Sequence, residues 1–213
     1  MNEIEKIKNN KSVVGTVNNH HVLSLYQSTD GNKAFLRALK GESELMVNRS
    51  ELDRFINNSV IYAWNHLKNM KFDYIICGQN TYYFFDQFIT RLFYKFSSNS
   101  LKLSNSLYKT NTQYLRLNNH VPDDLKPEVD KLLFSLKTKD TIKLRNDIPV
   151  KFRRYFSGFI SIDKDIQYKI QGKKILVIDD ILTTGSTFSE VFSILGNVNT
   201  KSFAGLSVFK FIA

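Results

Sequence analysis

Cysteine, proline and glycine are all scarce in this chain of 213 residues, at one, three and nine copies. The single cysteine, Cys77, can form neither an internal disulfide nor a cysteine-based zinc ribbon, and its solitude suits a reducing compartment. So few prolines and glycines leave no stretch that reads as a linker, and no internal repeat is visible. Long hydrophobic runs are missing too. Nothing approaches the roughly 18 apolar residues that span a bilayer. The opening MNEIEKIKNNKS is too polar for a secretory leader. The expectation is a cytoplasmic protein that does not enter a membrane. Acidic residues are outnumbered by basic ones, 20 against 30, for a formal charge of +10. The excess is concentrated: from Lys137 to Lys174 there are eleven basic and four acidic residues, a net of +7. Such a stretch attracts phosphorylated small molecules, nucleic acid or an anionic surface, and a plain solvated face is an equally good reading.

What is present is ordinary globular material. Hydrophobic residues make up 42% and charged residues 23%, which excludes wholesale disorder. With 17 Phe and 10 Tyr there is enough for a sizeable core, and the length fits one domain. Val13 to Tyr26 reads as one or two strands, with turn signals at Asn18-Asn19 and Asp30-Gly31. Ser50 to Met70 reads as a helix capped by Ser50, because Leu52, Phe55, Ile56, Val60, Ala63 and Leu67 recur at helical spacing. Asp73 to Cys77 is a short buried strand ending at Gly78, and Tyr82 to Phe96 is an aromatic-rich helix. Pro122 to Leu136 is a further helix, and Ser97 to Ile148 otherwise carries weak signals that suggest long loops. Lys174 to Ile178 is a strand, Thr187 to Leu195 a helix and Ser202 to Phe209 a last strand. This alternation predicts an α/β fold with a mainly parallel sheet flanked by helices.

The chemistry is concentrated in Lys174-Ile-Leu-Val-Ile-Asp-Asp-Ile-Leu-Thr-Thr-Gly-Ser-Thr187. Ile175 to Ile178 form a strand buried on both faces. Asp179 and Asp180 follow at its C-terminal end, which in open α/β sheets faces the ligand crevice. Adjacent carboxylates repel, so a cationic or polyhydroxyl partner is expected there. Thr183, Thr184, Gly185, Ser186 and Thr187 then open a helix. Gly185 permits a tight turn, and hydroxyls with helix-terminal N–H groups make an anion cradle. One loop thereby offers acceptors for sugar hydroxyls and donors for a phosphate, which describes a ribose-5-phosphate site. No Walker A loop or dinucleotide fingerprint is present. Cys77 reads as an inert core residue, and His20, His21, His66 and His120 lack metal-ligand spacing.

This pattern resembles the PRPP-binding loop of the type I phosphoribosyltransferases (PRPP is phosphoribosyl pyrophosphate). The chain looks most like the ComF-type branch without its zinc ribbon. Tyr26 with Phe35-Leu-Arg-Ala-Leu-Lys-Gly41 resembles that branch's tyrosine, short helix and lysine. Lys109-Thr-Asn-Thr-Gln113 resembles its Arg…Thr…Gln segment, and Lys151 to Phe159 its basic segment ending in Gly-Ala-Phe. Cys77-Gly-Gln-Asn80 replaces the family's proline-rich strand end, its Arg-Gly-Phe-Asn element is not recognisable near Tyr82–Arg91, and Asn118 to Leu144 looks inserted.

The resemblance implies a magnesium-dependent transfer of the phosphoribosyl group from PRPP to a nitrogen acceptor such as a nucleobase. Asp179 and Asp180 would hold the ribose hydroxyls, or touch magnesium through water, and Asp180 is a candidate base. Thr183, Thr184, Gly185, Ser186 and Thr187 would hold the 5′-phosphate. Gly78, Gln79 and Asn80 would face the pyrophosphate, and Lys109, Lys151, Arg153 and Arg154 would close over it. About residues 1–50 would form a hood and about 51–213 the core. The aromatic helix reads as core or a partner face, and a homodimer is among the expected partners. The alternative is a binding module without turnover, either a phosphoribosyl sensor or a nucleic-acid-binding accessory factor using the basic stretch.

Overall fold

The computed structural model describes residues 12–28, 33–41, 47–78, 82–96, 101–110, 114–117, 121–139, 142 and 147–211. Two strands, β1 (Val13–Val17) and β2 (His20–Ser28), form an antiparallel hairpin. Its turn is Asn18-Asn19, both with positive φ (48° and 63°), a conformation asparagine tolerates better than most residues. Two helices follow, α1 (Lys33–Leu39) and α2 (Arg49–Leu67), then β3 (Tyr74–Gly78), α3 (Tyr83–Phe96) and β4 (Lys102–Lys109). A short β5 (Arg116–Leu117), α4 (Lys126–Lys137), a 3-10 helix (Val150–Tyr155), β6 (Phe156–Ser157) and β7 (Ile160–Ile162) come next. The chain continues through α5 (Lys164–Lys169), β8 (Lys174–Leu182), α6 (Ser186–Asn197) and β9 (Ser202–Phe211).

Seven strands make one sheet in the order β1-β2-β9-β8-β3-β4-β7. The five from β2 to β4 run parallel, and the two outer strands are antiparallel to their neighbours. The fold is therefore α/β with a mainly parallel sheet flanked by helices, as the alternation predicts. Strand alternation explains the two cores. Ile75, Cys77, Leu176 and Ile178 point to the face covered by α1, α2 and α3, whereas Tyr74, Ile76, Ile175 and Val177 point to the face covered by α6. Each such aliphatic residue, removed from water, contributes about 1.5–3 kcal/mol. A third cluster lies apart from these, where α4 and the 3-10 helix pack through Val129, Leu136, Phe152 and Tyr155.

Four expectations need correction. Helix α2 is capped by Asn48, whose side chain accepts from the Ser50 N–H at 2.9 Å; Ser50 lies within the first turn. The weak segment after Ser97 contains a full sheet strand, β4, paired with β3 on one side and β7 on the other. Its sequence, KLSNSLYK, is too polar to announce itself. Helix α4 starts at Lys126, not Pro122, with Pro127 in its first turn. Finally, β8 does not stop at Ile178. It runs to Leu182 because β9 continues beside it, pairing Asp179 with Ser207 and Ile181 with Phe209. The turn signal at Asp30-Gly31 lies outside the described residues.

Candidate functional site

The acidic pair sits in the C-terminal half of β8, toward the C-terminal edge of the parallel sheet. Asp180 follows Leu176 and Ile178 in the two-residue repeat, so it faces the α1–α3 side. Two side chains from that side meet it. Lys40, just after α1, places Nζ 2.5 Å from Asp180 Oδ2. Tyr82, just before α3, donates its hydroxyl to the same oxygen at 2.5 Å. The Lys40 ammonium also stands 5.4 Å from the centroid of the Tyr82 ring. Leu36, Leu39 and Phe84 wall the small cleft around this contact.

The two carboxyls then behave oppositely. Burial, followed by the negative charge of Asp180, pushes Asp179 up to about 8. Burial also disfavours the charged form of Asp180, but the Lys40 charge and hydrogen bond, the Tyr82 hydroxyl and Asp179 outweigh it and hold Asp180 below its ordinary value. Asp179 Oδ1 in turn accepts from the Asp180 N–H at 3.0 Å. Near neutrality the pair therefore carries one negative charge rather than two, and Lys40 balances it.

The chain next turns through Thr183–Gly185 into α6. Gly185 is buried in the left-handed region (φ 76°, ψ 5°), and it caps α6 with no side chain. A Cβ there would lie 3.0 Å from Val17 Cγ2 of the hairpin. Threonine hydroxyls sit on the turn, and Thr184 Oγ1 shares a hydrogen bond with Ser186 Oγ at 2.6 Å. The hairpin supports this turn a second time, through Asn18 Nδ2, which donates to Ser189 Oγ at 2.9 Å. Helix-terminal N–H groups beside small hydroxyl side chains suit an anion.

The remaining predicted residues fall in three places. Gly78 ends β3, the strand beside β8, so it shares the edge that carries the acidic pair. Gln79 and Asn80 lie outside the described residues. Lys109 ends β4, one strand further along the same edge, and is exposed. The other basic residues belong to the third cluster. Lys151 pairs with Glu128 of α4 at 2.9 Å, both largely exposed. Arg153 Nε donates to the Ile148 carbonyl at 3.0 Å, and Arg154 donates to the Tyr155 hydroxyl while its guanidinium stands 4.7 Å from that ring's centroid. The structure thus gathers Gly78, Asp179, Asp180 and Thr183 to Thr187 on one edge, and seats Lys151, Arg153 and Arg154 on a neighbouring lobe.

Sequence reading alone missed three residues. Lys40 belongs to a segment already notable, but nothing in the sequence pairs it with Asp180. Tyr82 reads as the start of an aromatic helix, and its hydroxyl is what matters. Glu190, one turn into α6, looks like a surface carboxylate. Its Oε1 instead accepts from the Gly158 N–H at 2.5 Å and the Ile160 N–H at 3.3 Å, while Oε2 is buried without a hydrogen bond. Burial pushes Glu190 up to about 7 despite those donors. Gly158 itself is obligatory, with φ 81° and the Tyr114 carbonyl oxygen 1.9 Å from any added Cβ. Cys77 is inert as expected, buried, with burial and then Asp86 raising its thiol to about 12. Among the described residues no group of three His, Cys, Asp or Glu side chains is placed to hold a metal, and no helix is long and apolar enough to cross a membrane.

No protein-family model matches this chain, and no curated protein matches it in sequence. Solved structures do. An adenine phosphoribosyltransferase from Thermoanaerobacter pseudethanolicus is similar at 14% identity and TM-score 0.40, over 75% of this chain and 82% of that one. A purine phosphoribosyltransferase from Pyrococcus horikoshii is similar at 12% identity and TM-score 0.39, over 74% and 86%. A hypoxanthine phosphoribosyltransferase from Staphylococcus aureus is similar at 13% identity and TM-score 0.38, over 86% and 83%. At these TM-scores the likeness assigns no family.

Proposed function

We propose that this chain is a cytoplasmic phosphoribosyltransferase of the type I class, ComF-like in its N-terminal lysine segment, using PRPP and a nitrogen acceptor. One observation carries the reading. The Asp179–Asp180 pair at the C-terminal end of a central parallel strand runs directly into a left-handed Gly185 turn that opens α6. Ribose hydroxyls donate to the carboxyl oxygens, and the 5′-phosphate takes the Thr183–Thr187 turn with the first N–H groups of α6. Gly78, at the end of the adjacent strand, faces the pyrophosphate. Within the N-terminal segment β1 and β2 join the sheet, and the hood role falls to α1 and Lys40, which meets Asp180.

In the reaction the bond from the anomeric carbon to pyrophosphate breaks, and its electron pair leaves with the pyrophosphate. The acceptor nitrogen's lone pair forms the new bond, and its proton passes to solvent or to Asp180. Positive charge builds on the ribose ring in between, so ionised Asp180 beneath it is stabilising. Asp179, held protonated near neutrality, can donate to a ligand oxygen as well as accept.

Magnesium would meet Asp179 and Asp180 through water rather than be ligated directly, because Asp180 Oδ2 is already engaged by Lys40 and Tyr82. When bound there it supplies neutralisation of the departing pyrophosphate.

The test is a panel of nucleobases with PRPP and magnesium, scored for pyrophosphate release, beside calorimetry with PRPP alone. Release with one base confirms transfer. Binding without release favours the second reading, a sensor or nucleic-acid accessory factor. That reading draws on the seating of Arg153 and Arg154 on a lobe with its own core.

A further inference from the structure

Lys40 stands where three segments converge. It follows α1, it touches Asp180 at the acidic end of β8, and it lies over Tyr82, which opens α3 shortly after β3. Strands β8 and β3 are neighbours in the sheet. The ammonium therefore lies between the Asp180 carboxylate of β8 and the Tyr82 ring just before α3. Its side chain is 20% exposed, so its charge is less screened than that of a surface lysine.

We propose that Lys40 is a ligand-binding residue of this site, whose ammonium leaves Asp180 when a ribose hydroxyl takes that carboxylate and moves onto the pyrophosphate oxygens of PRPP. The proposal rests on the phosphoribosyl reading above and adds to it a cation supplied by the N-terminal segment. The chemistry is an exchange of partners. Asp180 Oδ2 already serves two donors at 2.5 Å, so a ribose hydroxyl arriving at that oxygen competes with them. Lysine is the one that can move, because its charge sits on a flexible stem with three rotatable donors. Tyr82 is anchored at the start of α3 and keeps its hydroxyl on Asp180, so the carboxylate stays oriented after Lys40 departs. The released ammonium then has a destination in the pyrophosphate, whose several negative charges bind a cation better than one carboxylate does.

Calorimetry with two ligands tests this: PRPP, which has the pyrophosphate, and ribose 5-phosphate, which lacks it. The ratio of their affinities isolates the pyrophosphate contact. Lys40→Met should weaken PRPP binding by at least about tenfold while changing ribose 5-phosphate binding by less than about threefold. Lys40→Arg should recover much of the ratio. Removing Lys40 alone leaves Asp180 unpaired and can cost folding. The same ratio is therefore also compared between Asp180→Asn and Lys40→Met/Asp180→Asn, where no buried charge is stranded. An unchanged ratio in both comparisons overturns the proposal and leaves the phosphoribosyl reading standing. Equal loss of both ligands overturns it too, as the mark of a merely structural lysine. Wild-type protein that binds neither ligand overturns the phosphoribosyl reading and this proposal together.

Discussion

Asp179 and Asp180 are adjacent and chemically identical, yet burial and Lys40 drive them in opposite directions. Replacing both with Asn should weaken PRPP or ribose 5-phosphate binding by at least about tenfold, or about 1.4 kcal/mol. Calorimetry reads this directly, and undiminished affinity would remove the pair from the site. The pair also predicts a pH dependence. Asp179 binds its proton up to about pH 8 in the folded protein but releases it near 3.8 when unfolded. The folded state then holds the extra proton, so stability should fall as pH rises from about 4 to about 8. Asp180, held low, contributes the reverse, with stability lost only in acid below its unfolded range. Urea midpoints at pH 5 and pH 8 should therefore differ more in the wild type than in Asp179→Asn. Gly185 supplies a third test at this scale. Gly185→Val forces a β-branched residue to φ 76° with Val17 already 3.0 Å from its Cβ. It should cost several times more in stability and phosphate affinity than Thr183→Ala, whose side chain is exposed. Much of this site was legible because it is contiguous: thirteen or so residues carry a strand, an acidic pair and an anion turn. Lys40 was not, because an ion pair between distant segments leaves no periodic trace.

Elements declared themselves in proportion to their burial. β3 and β8 are apolar on both faces and were visible at once. β4 was not, because Lys102, Asn105, Tyr108 and Lys109 are exposed and only Ser106 and Leu107 are buried in the strand. The end of β8 was misplaced for a related reason. Two aspartates look like a strand terminus, yet the ladder with β9 carries them into regular structure. Helix α6 links two regions, since its N-terminus forms the anion turn while Glu190 grips the Gly158–Ile160 backbone. Glu190→Ala should cost about 1–3 kcal/mol, because two backbone N–H groups lose their acceptor in a buried setting. Glu190→Gln keeps an amide oxygen for them and should cost much less. It should also flatten the part of the pH dependence between about 4.5 and 7, where the folded protein retains the Glu190 proton. Denaturant midpoints of the two variants across that range check both statements.

At the scale of the whole molecule the +10 charge sets a choice of partner. If Arg153 and Arg154 serve the small-molecule pocket, replacing both with Ala lowers PRPP affinity and leaves DNA binding alone. If they serve nucleic acid, DNA binding is lost and its salt dependence shrinks, by about 0.9 log units per log unit of salt for each duplex phosphate no longer neutralised. Measuring both ligands at two salt concentrations separates these outcomes: the phosphoribosyltransferase reading expects the small-molecule role, and the second reading, which draws on the seating of Arg153 and Arg154 apart from Asp180, the nucleic-acid one. The order of strands has a further consequence for how the chain comes together during synthesis. β9 is the last strand made among the described residues, yet it stands in the middle of the sheet, between β2 and β8. Until it emerges from the ribosome, the N-terminal hairpin has no strand to dock on, and the acidic end of β8 has one bare flank. The nascent chain therefore exposes an unpaired sheet edge until β9 is made, a hazard for aggregation. Its ligand site can close only once β9 has joined the sheet.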